Sequence, residues 1–141
     1  MTKRNWTVFF DHAAVATESP EKLKFVLGEL GLHDNGSEDV ASQGVRTYFL
    51  KTPAHEANIE LLEVLDPNGV VAKFLAKRGA GVHHLSFLVS DIEGVTAHLL
   101  SKKIRLVYEK AKPGAHHTLV NFIHPESTGG VLLEFAQKLA K

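Results

Sequence analysis

Four side chains in this sequence have the types and spacing of a divalent-cation site: His12, Glu60, His84 and Glu134. Imidazole nitrogen combined with carboxylate oxygen suits borderline metals such as zinc, cobalt, nickel, manganese or iron(II). An octahedral ion held by four such ligands keeps two positions for a bidentate substrate, which describes a catalytic site rather than a closed structural one. His12 precedes Glu60 by 48 residues and His84 precedes Glu134 by 50, so each half of the chain offers one histidine and one glutamate at nearly the same interval. Any one of the four, taken alone, reads more simply as a strand histidine or an edge carboxylate facing water. The matched pairs carry the argument for chemistry.

Such an arrangement needs elements that repeat. Residues 7–16, TVFFDHAAVA, read as a strand, and Ser19-Pro20-Glu21 gives an N-cap with proline at the first helical position. Leu23, Val26, Leu27 and Leu30 then form one apolar helical face that Gly31 ends. GVRTYFLKT (44–52) and NIELLEVL (58–65) follow as β-type runs. The second half restates the first: VHHLSFLVS from residue 82, Asp91 as a cap, a helix through Ile92, Val95 and Leu99, a short strand IRLVY (104–108), TLVNFIH (118–124) and GVLLEFAQ (130–137). Each copy is a βαβββ module. The expected organisation is a single domain over 1–141: module one about 5–66, a linker helix about 67–80 built on VVAKFLAKRGAG, and module two about 81–138.

Strand parity sets the faces. His12 aligns with Ala14 and Ala16, His84 with Ser86 and Leu88, Glu60 with Leu62 and Val64, and Glu134 with Leu132 and Ala136. A carboxylate among such neighbours is costly unless paired or bound to a cation. His83 faces the other way and is expected to pack or hydrogen-bond as structure. His116 and His117 fall in a loop after Pro113-Gly114-Ala115, His124 precedes Pro125 as turn chemistry, and His33, His55 and His98 read as surface residues.

Composition narrows the classes. Sixteen basic residues balance sixteen acidic ones, so no net field favours nucleic acid or an anionic membrane, and neither is expected as a partner. The chain has no cysteine, which removes disulfides, thiolate metal clusters and cysteine nucleophiles. No apolar stretch has the length of a signal core or membrane span, and a soluble cytoplasmic protein is the expectation.

The stretches FDHAAVA, QGVRTYFL, NIELLEVL, AKFLAKRGAGVHHLSFLVSDIE, KPGAH and FIHPESTGGVLLEF resemble the methylmalonyl-CoA epimerase family of the vicinal oxygen chelate (glyoxalase, bleomycin resistance and dioxygenase) superfamily. The resemblance covers nearly the whole chain and is most specific in KFLAKRGAGVHH and in the closing STGGVLLE. It implies an α+β fold in which two paired βαβββ modules form a curved mixed sheet around a metal site. It also implies a homodimer and a divalent metal, cobalt foremost, with zinc, nickel and manganese as the others. The ligands it implies are His12, Glu60, His84 and Glu134, the four found from the repeat.

The activity implied is epimerisation at C2 of methylmalonyl-CoA, a small acyl-CoA substrate, through a metal-stabilised enediolate. A proton between a thioester and a carboxylate becomes acidic only where the resulting negative charge is held. A base removes it on one face and an acid returns one on the other. Glu134 is assigned as ligand and base. Some relatives carry a glutamate four positions beyond the glutamine of QGV, where this chain has Thr47, so the second acid/base is open between Glu60 and His116. Gln43, Thr47 and His116 are the expected substrate contacts. Glu126 stands in HPEST where a lysine is common. The rivals are a glyoxalase I-like lyase acting on a glutathione hemithioacetal, which would use the same ligand types, and a non-catalytic binding module of the same fold, which would not retain all four.

Overall fold

A computed structural model describes residues 4–54 and 56–140. Two compact units are present, Asp11–His84 and Met1–Phe10 with Leu85–Lys141, and strands β1 (Val8–Ala16) and β5 (Gly81–Val89) each run from one unit into the other. His55 lies outside the described residues.

In the Asp11–His84 unit, β1 is followed by α1 (Pro20–Leu30), β2 (His33–Val40), β3 (Val45–Lys51), β4 (Asn58–Val64) and α2 (Val70–Arg78). The strand order is β2-β3-β4-β1, with β1 parallel to β4 and the other neighbours antiparallel. Alternating apolar residues supply one buried side: Ala14, Ala16, Val45, Phe49 and Leu62 are all buried. Proline begins α1, as the sequence predicts, but the Ser19 side chain makes no capping bond; its carbonyl instead accepts from the Lys22 amide at 3.1 Å. Gly31, at φ 111, ends the helix in the left-handed conformation that a side chain would strain. The apolar face of α1 is only partly covered, since Val26 and Leu30 are exposed along with Phe25.

The sequence reading missed β2. Its residues, HDNGSEDV, are almost all exposed and lack apolar alternation, so the strand owes its existence to backbone pairing with β3. Gln43 also differs from expectation: it closes a 3-10 turn, Ala41–Gln43, and Gly44 at φ 64 separates it from β3, so strand parity does not fix where it points.

The other unit holds the rest of β5, α3 (Ile92–Ser101), β6 (Lys112–Gly114), β7 (Thr118–Ile123) and β8 (Leu133–Lys138) in the order β5-β8-β7-β6. Again the module's first strand lies parallel to its last, β5 to β8. Asp91 caps α3 by accepting from the Gly94 amide at 3.0 Å, and Gln137 Oε1 accepts from the Ile92 amide at 2.8 Å, which ties the helix start to β8. One sheet face packs Phe135 against Val89, Ile92 and Val95. The opposite face carries Val120, Phe122 and Ala136, with Leu88, Tyr108 and Leu132 against them.

The run IRLVY does not form the short strand expected of it. One bridge, Leu106 to Ile123, remains, while the buried side chain of Asn121 takes over the backbone of Tyr108, accepting from its amide at 3.1 Å and donating to its carbonyl at 3.0 Å. Backbone bonds to β7 flank that bridge, from the Val107 amide to the Phe122 carbonyl and from the His124 amide to the Arg105 carbonyl, both at 2.8 Å, and the side-chain clamp takes over at Tyr108. His98 is also less exposed than its surface reading, being half-buried edge-on to Trp6 with ring centroids 5.6 Å apart.

Candidate functional site

The parallel pairing of first and last strands determines where the chemical residues fall. In β1 and β4, Ala14 registers with Glu60; in β5 and β8, Ser86 registers with Glu134. Ala14 is two residues beyond His12 and Ser86 is two beyond His84, so each glutamate stands opposite the small residue that follows its module's histidine on the same face. A small side chain at that step leaves room for the longer carboxylate beside it. The two modules repeat this relation register for register.

Within the Asp11–His84 unit the groups come close. Glu60 Oε2 lies 3.1 Å from His12 Nδ1, and the His12 and His84 ring centroids are 5.7 Å apart at 71°. Asp11, His12 and Glu60 each offer one ligand atom, and these atoms lie within 4.8 Å of one another. His12 and His84 are buried and Glu60 is half-buried. Thr47, 3% exposed, registers with Leu62, and Phe49 registers directly with Glu60, which puts Thr47 on the same face as Glu60 as its parity predicts. Buried imidazole and half-buried carboxylate at this spacing form a donor set that fits a divalent cation.

Sequence reasoning gave Asp11 no role, yet its Oδ2 is 2.7 Å from His12 Nδ1. The available signal was its adjacency to His12, but neighbours on a strand face opposite ways and parity argues against the contact. His83 packs its ring edge on Phe74 at 4.9 Å, as expected of a structural neighbour, and its Nδ1 meets His84 Nδ1 at 2.9 Å. It therefore also orients the histidine beside it.

In the other unit Glu134 is 5% exposed on the face that carries Phe122 and Ala136. Tyr108 packs on that face, and burial first, then the charge of Glu134, push its phenol above the usual tyrosine range. Sequence reasoning missed Tyr108 by absorbing it into a strand. His116 sits exposed in the Ala115–His117 turn between β6 and β7 with φ 56, and Thr118 Oγ1 donates to the Ala115 carbonyl at 2.7 Å to close that turn. His124 does cap the following 3-10 turn, its Nδ1 accepting from the Glu126 amide at 3.0 Å. The Glu126 carboxylate pairs with Arg105 at 2.6 Å.

Residues 11–122 match the Glyoxalase/Bleomycin resistance protein/Dioxygenase superfamily. The mitochondrial methylmalonyl-CoA epimerase of Bos taurus is 36% identical over 129 residues, spanning 90% of this chain and 73% of the bovine protein. The crystal structure of the Mycobacterium tuberculosis methylmalonyl-CoA epimerase superposes with a TM-score of 0.89 at 36% identity, covering 94% of this chain and 89% of that one. A methylmalonyl-CoA epimerase structure in complex with methylmalonyl-CoA and NH4+ gives a TM-score of 0.85 at 28% identity, covering 94% of this chain and 96% of that one. With its fold, its repeated modules and its sequence in agreement over this length, the chain belongs to the methylmalonyl-CoA epimerase family of the Glyoxalase/Bleomycin resistance protein/Dioxygenase superfamily.

Proposed function

We propose that this chain is an isomerase that interconverts the C2 epimers of methylmalonyl-CoA, with His12, Glu60, His84 and Glu134 holding a divalent cation. The observation that carries the reading is the matched register, Ala14 with Glu60 and Ser86 with Glu134, which gives each module one histidine and one glutamate on a common face. The cation, when bound, supplies positive charge against the negative charge that develops on the thioester as C2 loses its proton.

The protein's own residues handle the proton. Glu134, almost wholly buried on an apolar face, is assigned as the base at C2. Glu60 is favoured over His116 as the second proton-transfer group because it is half-buried and shares a face with Thr47, whereas His116 is exposed at a hairpin turn. Thr47 is assigned to substrate contact, since a hydroxyl does not act as a general base near neutral pH. Gln43, half-buried beside Gly44, is kept as a substrate contact.

Cobalt is the proposed metal, with zinc, nickel or manganese the other occupants the donor set fits. A homodimer is proposed on the exposed apolar side chains of α1, Phe25, Val26 and Leu30. A cytoplasmic location is proposed on the cysteine-free, charge-balanced composition. The bovine relative is mitochondrial, and fractionation of the source cells distinguishes the two compartments.

The test is solvent exchange. Cobalt-loaded protein should exchange the C2 proton of methylmalonyl-CoA with deuterium from the solvent and be inert with the hemithioacetal of methylglyoxal. The reverse pattern would replace the epimerase reading with a glyoxalase-type one, and inertness toward both would leave a binding module. Elemental analysis after purification identifies the metal, and sedimentation equilibrium gives the oligomeric state.

A further inference from the structure

The geometry points to Tyr108 as a further substrate-contacting residue, its hydroxyl donating a hydrogen bond to the free carboxylate of the acyl group. This rests on the epimerase reading and adds to it a residue that confers specificity.

Three observations carry it. Tyr108 packs with Leu88, Val120, Phe122, Leu132 and Ala136 on the sheet face that also bears Glu134, and apart from Tyr108 that cluster is apolar. A dicarboxylic acyl chain brought to Glu134 therefore meets few donors from this unit, while each oxygen of its carboxylate retains lone pairs to satisfy. Tyr108 is also held in place: Asn121, 1% exposed, bonds both its amide and its carbonyl, Phe122 meets its ring edge-on at 5.8 Å, and Lys112 Nζ lies 4.2 Å from the ring centroid. Finally, this anchored and half-buried phenol has a hydroxyl that makes no hydrogen bond among the described residues. Such a group, fixed on a face with a buried carboxylate and flanked by an ammonium, is placed to receive an anionic oxygen.

The experiment compares equilibrium binding of methylmalonyl-CoA and of propionyl-CoA, which lacks the carboxylate, to cobalt-loaded wild type and Tyr108→Phe by titration calorimetry. Loss of one hydrogen bond to a charged group corresponds to roughly a tenfold weakening or more. Tyr108→Phe should show that loss for methylmalonyl-CoA, bind propionyl-CoA within about twofold of wild type, and retain its cobalt by elemental analysis; the substitution keeps the ring, so the packing survives. Equal weakening toward both ligands would assign Tyr108 to packing and overturn the proposal, as would unchanged binding of both. If the wild type itself neither prefers methylmalonyl-CoA nor exchanges its C2 proton, the epimerase reading fails and this assignment fails with it. If the wild type does both and Tyr108→Phe keeps the preference, only the Tyr108 assignment fails.

Discussion

Asp11 Oδ2 lies 2.7 Å from His12 Nδ1, and Glu60 Oε2 reaches the same nitrogen at 3.1 Å. A neutral imidazole carries one N–H, and carboxylates gathered at Nδ1 keep it there, which directs the Nε2 lone pair to a cation. Removing the partner should loosen the ring without removing a ligand. Asp11→Ala is expected to weaken cobalt binding by roughly 10- to 100-fold, and Asp11→Asn by less, because the amide oxygen still accepts. Competition with a chelator of known affinity measures both. Unchanged affinity in Asp11→Ala would leave the 2.7 Å contact without a role in ligation.

The neighbouring histidines 83 and 84 should separate in the same assay. His84 is 3% exposed and faces the His12 ring, whereas His83 is half-buried against Phe74 and meets His84 through Nδ1 and an edge-on ring contact at 5.1 Å. His84→Ala should leave the protein without stoichiometric metal. His83→Phe keeps the ring packed on Phe74 and loses the nitrogen contact, so its metal affinity should fall no more than about tenfold, the lower end of what an orienting partner contributes. Equal losses in the two variants would contradict the separation.

The two glutamates divide by role. Glu134→Gln retains volume and an oxygen donor but loses the basic carboxylate, so deuterium exchange at C2 should fall by roughly 10²- to 10⁴-fold, the range for a positioned general base. Metal content should fall much less. Glu60→Gln should leave exchange from one face of C2 measurable while slowing conversion between epimers, because exchange and inversion part company when only one of two proton carriers is lost. Following both readouts in one sample by mass and by chiral chromatography checks this. If Glu134→Gln retains full exchange, Glu134 is not the base.

The placing of a histidine and a glutamate on paired strands of each module is legible in the sequence, and the reason is the repeat. His12 with Glu60 and His84 with Glu134 are recognisable because parity and near-equal spacing survive duplication, and the parallel first-to-last strand pairing sets each glutamate in register with the residue two beyond its histidine. What escaped had no local signature. β2 is a polar strand with a register shift between Asp34 and Ser37, ordered by β3 rather than by its own alternation. Tyr108 ends a run with strand-like residues, IRLVY, and its own amide and carbonyl bond the Asn121 side chain rather than a neighbouring strand, a long-range competition that propensity does not register. The Asp11 contact defies parity because a side chain can swing toward its neighbour's ring even when the two Cβ atoms point apart.

Away from the site, the Tyr48 hydroxyl donates to Glu63 Oε1 at 2.7 Å, and both residues lie on the face of β3 and β4 opposite Thr47 and Glu60. The hydrogen bond to Glu63 first, and burial second, raise the Tyr48 phenol above its ordinary value of 10.0, with Arg46 partly opposing. The sign of the pH effect follows. A group whose pKa is higher folded than unfolded binds its proton more tightly in the native state, so its stabilisation is complete below the unfolded value and disappears as pH rises through the folded one. Stability should therefore decline above about pH 10, where an unfolded tyrosine ionises but the native one does not. In a Tyr108→Phe background, where Tyr48 is the remaining tyrosine, alkaline absorbance titration should place its midpoint above 10.0. Adding Glu63→Gln should lower that midpoint and flatten the fall in urea-unfolding stability between pH 9 and pH 11. A midpoint that Glu63→Gln leaves in place would mean that burial, rather than the carboxylate, holds the proton on Tyr48.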